Sequence, residues 1–289
     1  MNTLRFQTVI LGPLMLTGIL FASNSGLAAS QAEMEAQAAR DFAAIKAAES
    51  LSTDQEIIDY IACVANAVVT SLEPPDSDKN WEMAIVESGQ LNAFVMPGGK
   101  IVVYEGILRA ARNQHQLAAV IGHEIAHITS GHTKRKLLQG KTGEVGIQVA
   151  AVLLGGGNYG ATYTAETMLN EGMVYAYYLP YKRSNETEAD VVGLEYMAKA
   201  GFDPRAAVEL WKNMDAESGG ERPAEFASTH PSPENRMESL ISKWIEVLPL
   251  YNQAHEEGRV PNCMTPANLE QFYEQRAQEE KSRAAEKEQ

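Results

Sequence analysis

Apolar residues recur at helical spacing along several stretches of this chain, with shorter extended stretches set between them. The segment from Ala32 to Ala48 is Ala-rich and amphipathic, which predicts an exposed helix leading into the domain. Ile57, Ile58, Ile61, Val64 and Val69 predict a second helix, opened by the N-cap residue Asp54 and stopped by Pro74-Pro75. Trp81 to Val86, Asn92 to Val95 and Ile101 to Tyr104 read as short strands. Pro97-Gly98-Gly99 joins the last two as a turn, so a small antiparallel sheet is predicted. Leu117, Val120, Ile121, Ile125 and Ile128 mark a helix from Asn113 to Gly131, with Gln116 as the capping-box partner of Asn113. Further helices are predicted from Asn185 to Ala200, closed by Gly201, and from Pro204 to about Met214. A loop opened by Gly219-Gly220 and Pro223 carries Thr229-His230-Pro231-Ser232-Pro233 and leads into another helix near Arg236. The fold class is α+β and mainly helical, and no internal repeat is visible.

Two apolar runs stand apart. Val145 to Leu154 is too short to cross a bilayer and ends in Gly155-Gly156-Gly157, which predicts a buried or interfacial helix beside a loop. Contact of residues 145–178 with a membrane surface stays open. Val9 to Phe21 follows Arg5 and precedes the small residues through Ala28-Ala29, the layout of a secretory signal peptide. An uncleaved anchor is the alternative, but Gly12-Pro13 interrupts the run, which falls short of the ~20 residues that span a bilayer. Ser30 stands where a lipoprotein carries Cys, so no lipid anchor is expected. The division is 1–29 signal peptide, 30–52 N-terminal helix, 53–250 main domain and 251–289 C-terminal segment. The last part is charged and lacks an apolar stripe after Tyr273, as a solvated helix or disordered tail does.

Export makes an oxidising compartment the expected one, and Cys63 and Cys263 are then expected to pair, tying the N-terminal helical region to the C-terminal segment. Two free thiols are the alternative. Lys+Arg 24 against Asp+Glu 38 gives a net charge of -14, which repels nucleic-acid phosphates, and no basic patch is segregated. Nucleic acid is not an expected partner.

The chemistry concentrates in His123-Glu124-Ile125-Ala126-His127. Residues four apart share a helix face, so both imidazoles can turn toward one ion with Glu124 beside it. The plain alternative is a surface helix with a fortuitous histidine pair. Zinc takes about four ligands, and a catalytic site keeps one position for water, so a third protein ligand is required. Such a metal lowers the pKa of its water to about 7, and Glu124 is placed to take the proton. Downstream, Glu186 and Asp190 are again four apart at the start of a helix. Glu186 can supply the missing ligand, and Asp190 can accept the outward N–H of a ligating histidine. Glu188, between them, fits a solvated acid in a first helical turn. A metzincin would carry Gly at Ser130 and His at Thr133, so a glutamate-type site remains.

Four motifs in order resemble metallopeptidase family forty-eight, the group of HtpX, the CAAX prenyl proteases and the bacterial periplasmic quality-control proteases. They are Asn92-Ala93-Phe94-Val95-Met96-Pro97-Gly98-Gly99-Lys100-Ile101, the helix with His123 to His127 and His132, Arg183-Ser184-Asn185-Glu186-Thr187-Glu188-Ala189-Asp190, and Ser228-Thr229-His230-Pro231-Ser232 with Arg236. The resemblance implies a gluzincin-type domain over 53–250, with one zinc ion on His123, His127 and Glu186 and with Glu124 as general base. It implies that the hairpin bearing Asn92, Ala93, Phe94 and Val95 offers an edge strand to an extended substrate, while Phe94 and Val102 pack inward. His230 and Arg236 are expected near the metal, either stabilising an oxyanion or, for His230, occupying the open position in a latent state. His132 is expected to stabilise the end of the site helix, and His115 and His255 to be surface residues.

The expected activity is therefore zinc-dependent endoproteolysis of extended or misfolded envelope proteins, acting on unfolded or misassembled clients and beside outer-membrane or envelope assembly machinery. A non-catalytic chaperone that kept the fold competes with it, although such a binder needs no Glu124. A thermolysin-like secreted enzyme fits less well, because the interval from His127 to Glu186 is long.

Overall fold

Side chains alternating along three short strands separate two apolar layers. A computed structural model describes residues 31–135, 181–217, 229–230, 235–264 and 266. The expected signal peptide, the apolar run from Val145 to Leu154 with its Gly-rich loop, and the charged tail lie outside them. Strands β1 (Glu82–Val86), β2 (Ala93–Met96) and β3 (Lys100–Tyr104) send Ala84, Val86, Phe94, Met96, Val102 and Tyr104 to one face. There they meet Ala38, Phe42 and Ile45 of helix α1 (Gln31–Ala48). Ile85, Ala93, Val95, Ile101 and Val103 join the larger core on the other face. That core is built with helices α2 (Gln55–Thr70), α3 (Gln114–Thr129), α4 (Arg183–Lys199), α5 (Ala206–Glu217) and α6 (Arg236–Glu256). Helix α1 is thus not an exposed lead-in. Its face of Met34, Ala38, Phe42 and Ile45 is buried and closes one side of the sheet.

The hairpin is antiparallel, with Phe94 opposite Val102. Strand β1, however, pairs in parallel with β3, Ala84 also standing opposite Val102, so the order is β1-β3-β2 and the sheet is mixed rather than antiparallel throughout. The link from β1 to β2 is tied to the end of β3. Its carbonyls at Ser88 and Asn92 accept the N–H groups of Gly106 and Tyr104 at 2.9 and 3.1 Å. The link is thereby routed past the end of β3, which inserts between the other two strands. Strand β2 is left at an edge of the sheet among the described residues.

The helix starts follow their caps. Asp54 accepts the N–H groups of Glu56 and Ile57, and Asn113 those of His115 and Gln116. The Gln116 side chain reaches one residue further back than a capping box requires and accepts from the Arg112 N–H at 2.7 Å.

Helices α3 and α4 meet backbone to backbone. A Cβ placed on Gly122 would lie 2.7 Å from the Gly193 carbonyl oxygen, and one on Gly193 would lie 2.8 Å from the His123 nitrogen. Both positions therefore require glycine.

Past Gly201 the chain turns, and two histidines expected at the surface hold that turn. His115 Nδ1 accepts the Asp203 N–H at 3.1 Å, and a His255 ring nitrogen lies 3.0 Å from the Gly201 carbonyl. Helix α6 runs across position 250 to Glu256. A Cys63–Cys263 disulfide fastens the segment beyond it to α2. That segment also reaches the start of α3, where Gln114 accepts the Cys263 N–H at 2.8 Å and donates to the Pro261 carbonyl at 3.1 Å.

Two outcomes are expected. Replacing both Cys63 and Cys263 with Ser should lower the free energy of unfolding by about 2–4 kcal/mol, read from denaturant titration of oxidised wild type against the variant. Gly193→Ala should destabilise by about 1–3 kcal/mol through overpacking at the helix crossing, and an unchanged midpoint would show that the helices separate freely.

Candidate metal centre

The close crossing of α3 and α4 brings the first turn of one helix against the middle of the other. Glu186 is fully buried there, with Oε1 3.3 Å from His127 Nε2 and Oε2 3.4 Å from His123 Nε2. The two Nε2 atoms are 3.1 Å apart. His230 enters from its own segment, its Nδ1 lying 3.2 Å from His123 Nε2 and 3.3 Å from Glu186 Oε2. One donor atom each from His123, His127, Glu186 and His230 thus falls within 4.8 Å of the others, and all four residues are buried. Glu124 stands beside this group, with Oε1 3.4 Å from His230 Nε2.

Such a cluster suits a metal ion on its own chemistry. Three imidazoles and a carboxylate make a nitrogen-and-oxygen set of the borderline kind that zinc takes. Around His123 the contacts also settle which ring nitrogen is available. Its Nδ1 lies 3.0 Å from Asp190 Oδ1, so a ring proton faces the carboxylate, and in the neutral ring that a metal would select the Nε2 lone pair faces the cluster.

Arg236 reaches the centre through the two acids of α4. Its Nε donates to Asp190 Oδ2 at 2.7 Å, and its Nη2 to Asp190 Oδ1 and Glu186 Oε2, both at 3.1 Å. The guanidinium lies 3.4 Å from the centroid of the Trp211 ring. Arg236 thus pairs with both acids through Nε and Nη2, and a buried carboxylate pair requires such a nearby cation.

The charges balance inside the group. Burial disfavours the ionised form of Glu186, but the surrounding imidazoles, His230 foremost, overcome it and hold its carboxyl well below the ordinary carboxylate range. Burial likewise disfavours protonated His123, yet Asp190 and Glu186 outweigh it and push the pKa up to about 9. Burial, aided by the neighbouring imidazoles, drives His127 far below its usual value.

Of the hairpin residues, Asn92, Ala93, Phe94 and Val95 are all buried, Ala93 and Val95 in the core shared with α3 and Phe94 against α1. They therefore offer main chain rather than side chains at the edge. Three neighbours of the centre were not singled out from the sequence for the parts they occupy. Tyr181 stacks on the His127 ring, with centroids 3.8 Å apart, and its hydroxyl lies 2.9 Å from Thr133 Oγ1. His132 is fully buried, its Nδ1 3.0 Å from His127 Nδ1. Glu188 meets the other nitrogen of His132 at 3.1 Å. The signal for His132 was the break at Ser130-Gly131, which lets the chain fold back beneath the second site histidine.

Comparison with known proteins fits this geometry. The chain is 39% identical over 170 residues to the mitochondrial metalloendopeptidase OMA1 of Schizosaccharomyces pombe, covering 58% of this chain and 48% of that protein. It is 30% identical over 217 residues to the mitochondrial metalloendopeptidase OMA1 of Homo sapiens, covering 72% and 41%. The beta-barrel assembly-enhancing protease of Escherichia coli K12 is 28% identical over 192 residues, covering 63% and 38%. The chain thus spans about half or less of the length of these relatives. The family model for peptidase family M48 matches residues 52–243, a segment that holds every residue of the cluster, and the chain belongs to that family.

Proposed function

We propose that this chain is a zinc-dependent metalloendopeptidase that cleaves extended segments of unfolded or misassembled proteins in the cell envelope. The observation that carries the reading is the buried convergence of three imidazoles and Glu186 next to Glu124, on a helix that packs against an edge strand. His123, His127 and Glu186 are the residues that would hold the ion, with His230 as a fourth donor in this conformation. Zinc bound there supplies a Lewis acid that acidifies a water and polarises the scissile carbonyl.

The remaining steps belong to the chain. Glu124 takes the proton as the nucleophile forms and returns it to the leaving amine. Asp190 keeps His123 turned inward, and Arg236 fixes both acids. Strand β2, at an edge of the sheet among the described residues, pairs main chain with the substrate backbone, which demands little of the substrate's sequence. The envelope location rests on the N-terminal segment 1–29, and the Cys63–Cys263 disulfide fits an oxidising compartment. The relatives' names point both to mitochondria and to β-barrel assembly, and the second agrees with an envelope role.

His230 favours latency over an oxyanion role. Its Nδ1 sits among the metal-facing donors, where a catalytic site keeps a place for water, and its Nε2 lies beside the base.

The decisive comparison is zinc content and casein cleavage of wild type and Glu124→Gln. The variant should keep its zinc and lose about 10²- to 10⁴-fold in cleavage rate. A wild type that holds zinc yet cleaves nothing, with His230→Ala equally silent, would end the protease reading in favour of a chaperone. His230→Ala should itself cleave faster than wild type under the same assay, and a slower variant would assign His230 to the oxyanion.

A further inference from the structure

Asp190 steadies one site histidine directly, and the other is steadied from a different quarter. His127 turns Nε2 toward the cluster and Nδ1 toward His132, whose far nitrogen meets Glu188 on the outer side of α4. We propose that Glu188 and His132 form a hydrogen-bonded relay that fixes the tautomer and orientation of His127 and so sets the affinity of the centre for its metal. The inference rests on the zinc reading above and adds two positioning residues to it.

Hydrogen-bond polarity allows one arrangement along this line. A carboxylate only accepts, so the nitrogen of His132 that lies 3.1 Å from Glu188 carries the ring proton. The Nδ1 of a neutral His132 is then an acceptor, and the partner 3.0 Å away, His127 Nδ1, must donate. The single proton of His127 is thus held on the outer nitrogen, and its Nε2 lone pair faces His123 and Glu186. Working outward from a metal on Nε2 gives the same assignment at every atom. Reversing the polarity of the middle bond would place a proton on the metal-facing nitrogen.

The surroundings restrict the relay to this geometry. His132 is wholly buried, while Glu188 is half exposed, with Arg135 4.0 Å from its carboxylate. Tyr181 lies flat against the His127 ring at an interplanar angle of 15°, and Thr133, the neighbour of His132, meets the Tyr181 hydroxyl. Ring rotation of His127 is blocked on a face and on an edge at once. Glu188 points away from the cluster because it is two residues from Glu186 on a helix, which places it on the opposite side. Two acids of α4 therefore serve both histidines, Asp190 directly and Glu188 through His132.

The test measures zinc affinity by chelator competition on the full chain, together with thermal unfolding of the zinc-free protein and long-range proton–nitrogen spectra of histidine-labelled zinc-loaded protein. His132→Leu and Glu188→Ala should each bind zinc about 10- to 100-fold more weakly than wild type. Glu188→Gln keeps an acceptor oxygen and should recover most of that loss. The wild-type spectrum should show His127 protonated on Nδ1 and His132 on Nε2. Zinc affinity unchanged in both His132→Leu and Glu188→Ala, even with lowered unfolding temperatures, would mean that the pair only caps the helix and would overturn the relay. An equal loss in Glu188→Gln and Glu188→Ala would assign the effect to charge and overturn it too, as would a His132 protonated on Nδ1. If His132→Leu does not fold, the half-exposed Glu188→Ala decides alone. A wild type that takes up no zinc sinks the protease reading and the relay with it, whereas zinc-binding wild type with unaffected variants removes the relay only.

Discussion

The rest of the site depends on how closely α3 and α4 can approach. Gly122 and Gly193 face each other where any Cβ would collide with backbone, and this contact puts the first turn of α4 within reach of the His123 and His127 rings. Glycine inside a helix costs about 1 kcal/mol relative to alanine, so each helix gives up intrinsic stability at its centre. The surrounding core offsets the loss. Leu117, Ile121 and Ile125 of α3 and Leu194, Met197 and Ala198 of α4 lie in one continuous apolar cluster. Packing thus holds together a crossing that local propensity would disfavour.

That proximity creates an electrostatic problem which the remaining elements resolve. Glu186 and Asp190 are buried acids on one helix face, and two carboxylates in a dry interior repel each other unless cations are supplied. Helix α6 delivers Arg236 at its first residue, and α5 delivers the Trp211 ring on which the guanidinium rests. The imidazoles complete the balance on the opposite side of Glu186. A metal ion placed among them would meet a carboxylate already ionised and oriented, which lowers the reorganisation that binding requires. Helices far apart in sequence are in this sense parts of one charge-balanced unit.

Part of this was legible in the sequence and part was not, for physical reasons. His123 with His127, and Glu186 with Asp190, were readable because the four-residue spacing fixes a shared face whatever the tertiary fold. Asp54 and Asn113 were readable because capping is local. Gly122 and Gly193 carry no such local signal, since a glycine inside a helical pattern gains meaning only from the partner backbone opposite it. From the sequence His132 reads as a helix-end residue, because its role appears only when the chain reverses at Gly131. The parallel pairing of β1 follows from the route of the chain between β1 and β2, which no local pattern encodes. Helix α1 looked exposed because a short, Ala-diluted apolar face does not announce that a sheet lies against it.

The burial of both sheet faces bears on how a protease of this family would meet its substrates. With α1 on one side and α2 and α3 on the other, the side chains of β2 are committed to the two cores. What β2 can present at the sheet edge is main chain, whose hydrogen-bonding pattern is the same for almost any sequence. Strand pairing then selects for extended conformation rather than for particular residues, and a folded domain, with its own backbone groups already paired, is a poor competitor for that edge. Because β2 also packs on α3, a strand added there would run alongside the helix that carries His123, Glu124 and His127. Discrimination between folded and unfolded clients would then follow from the architecture itself, with no need for a side-chain pocket on the hairpin.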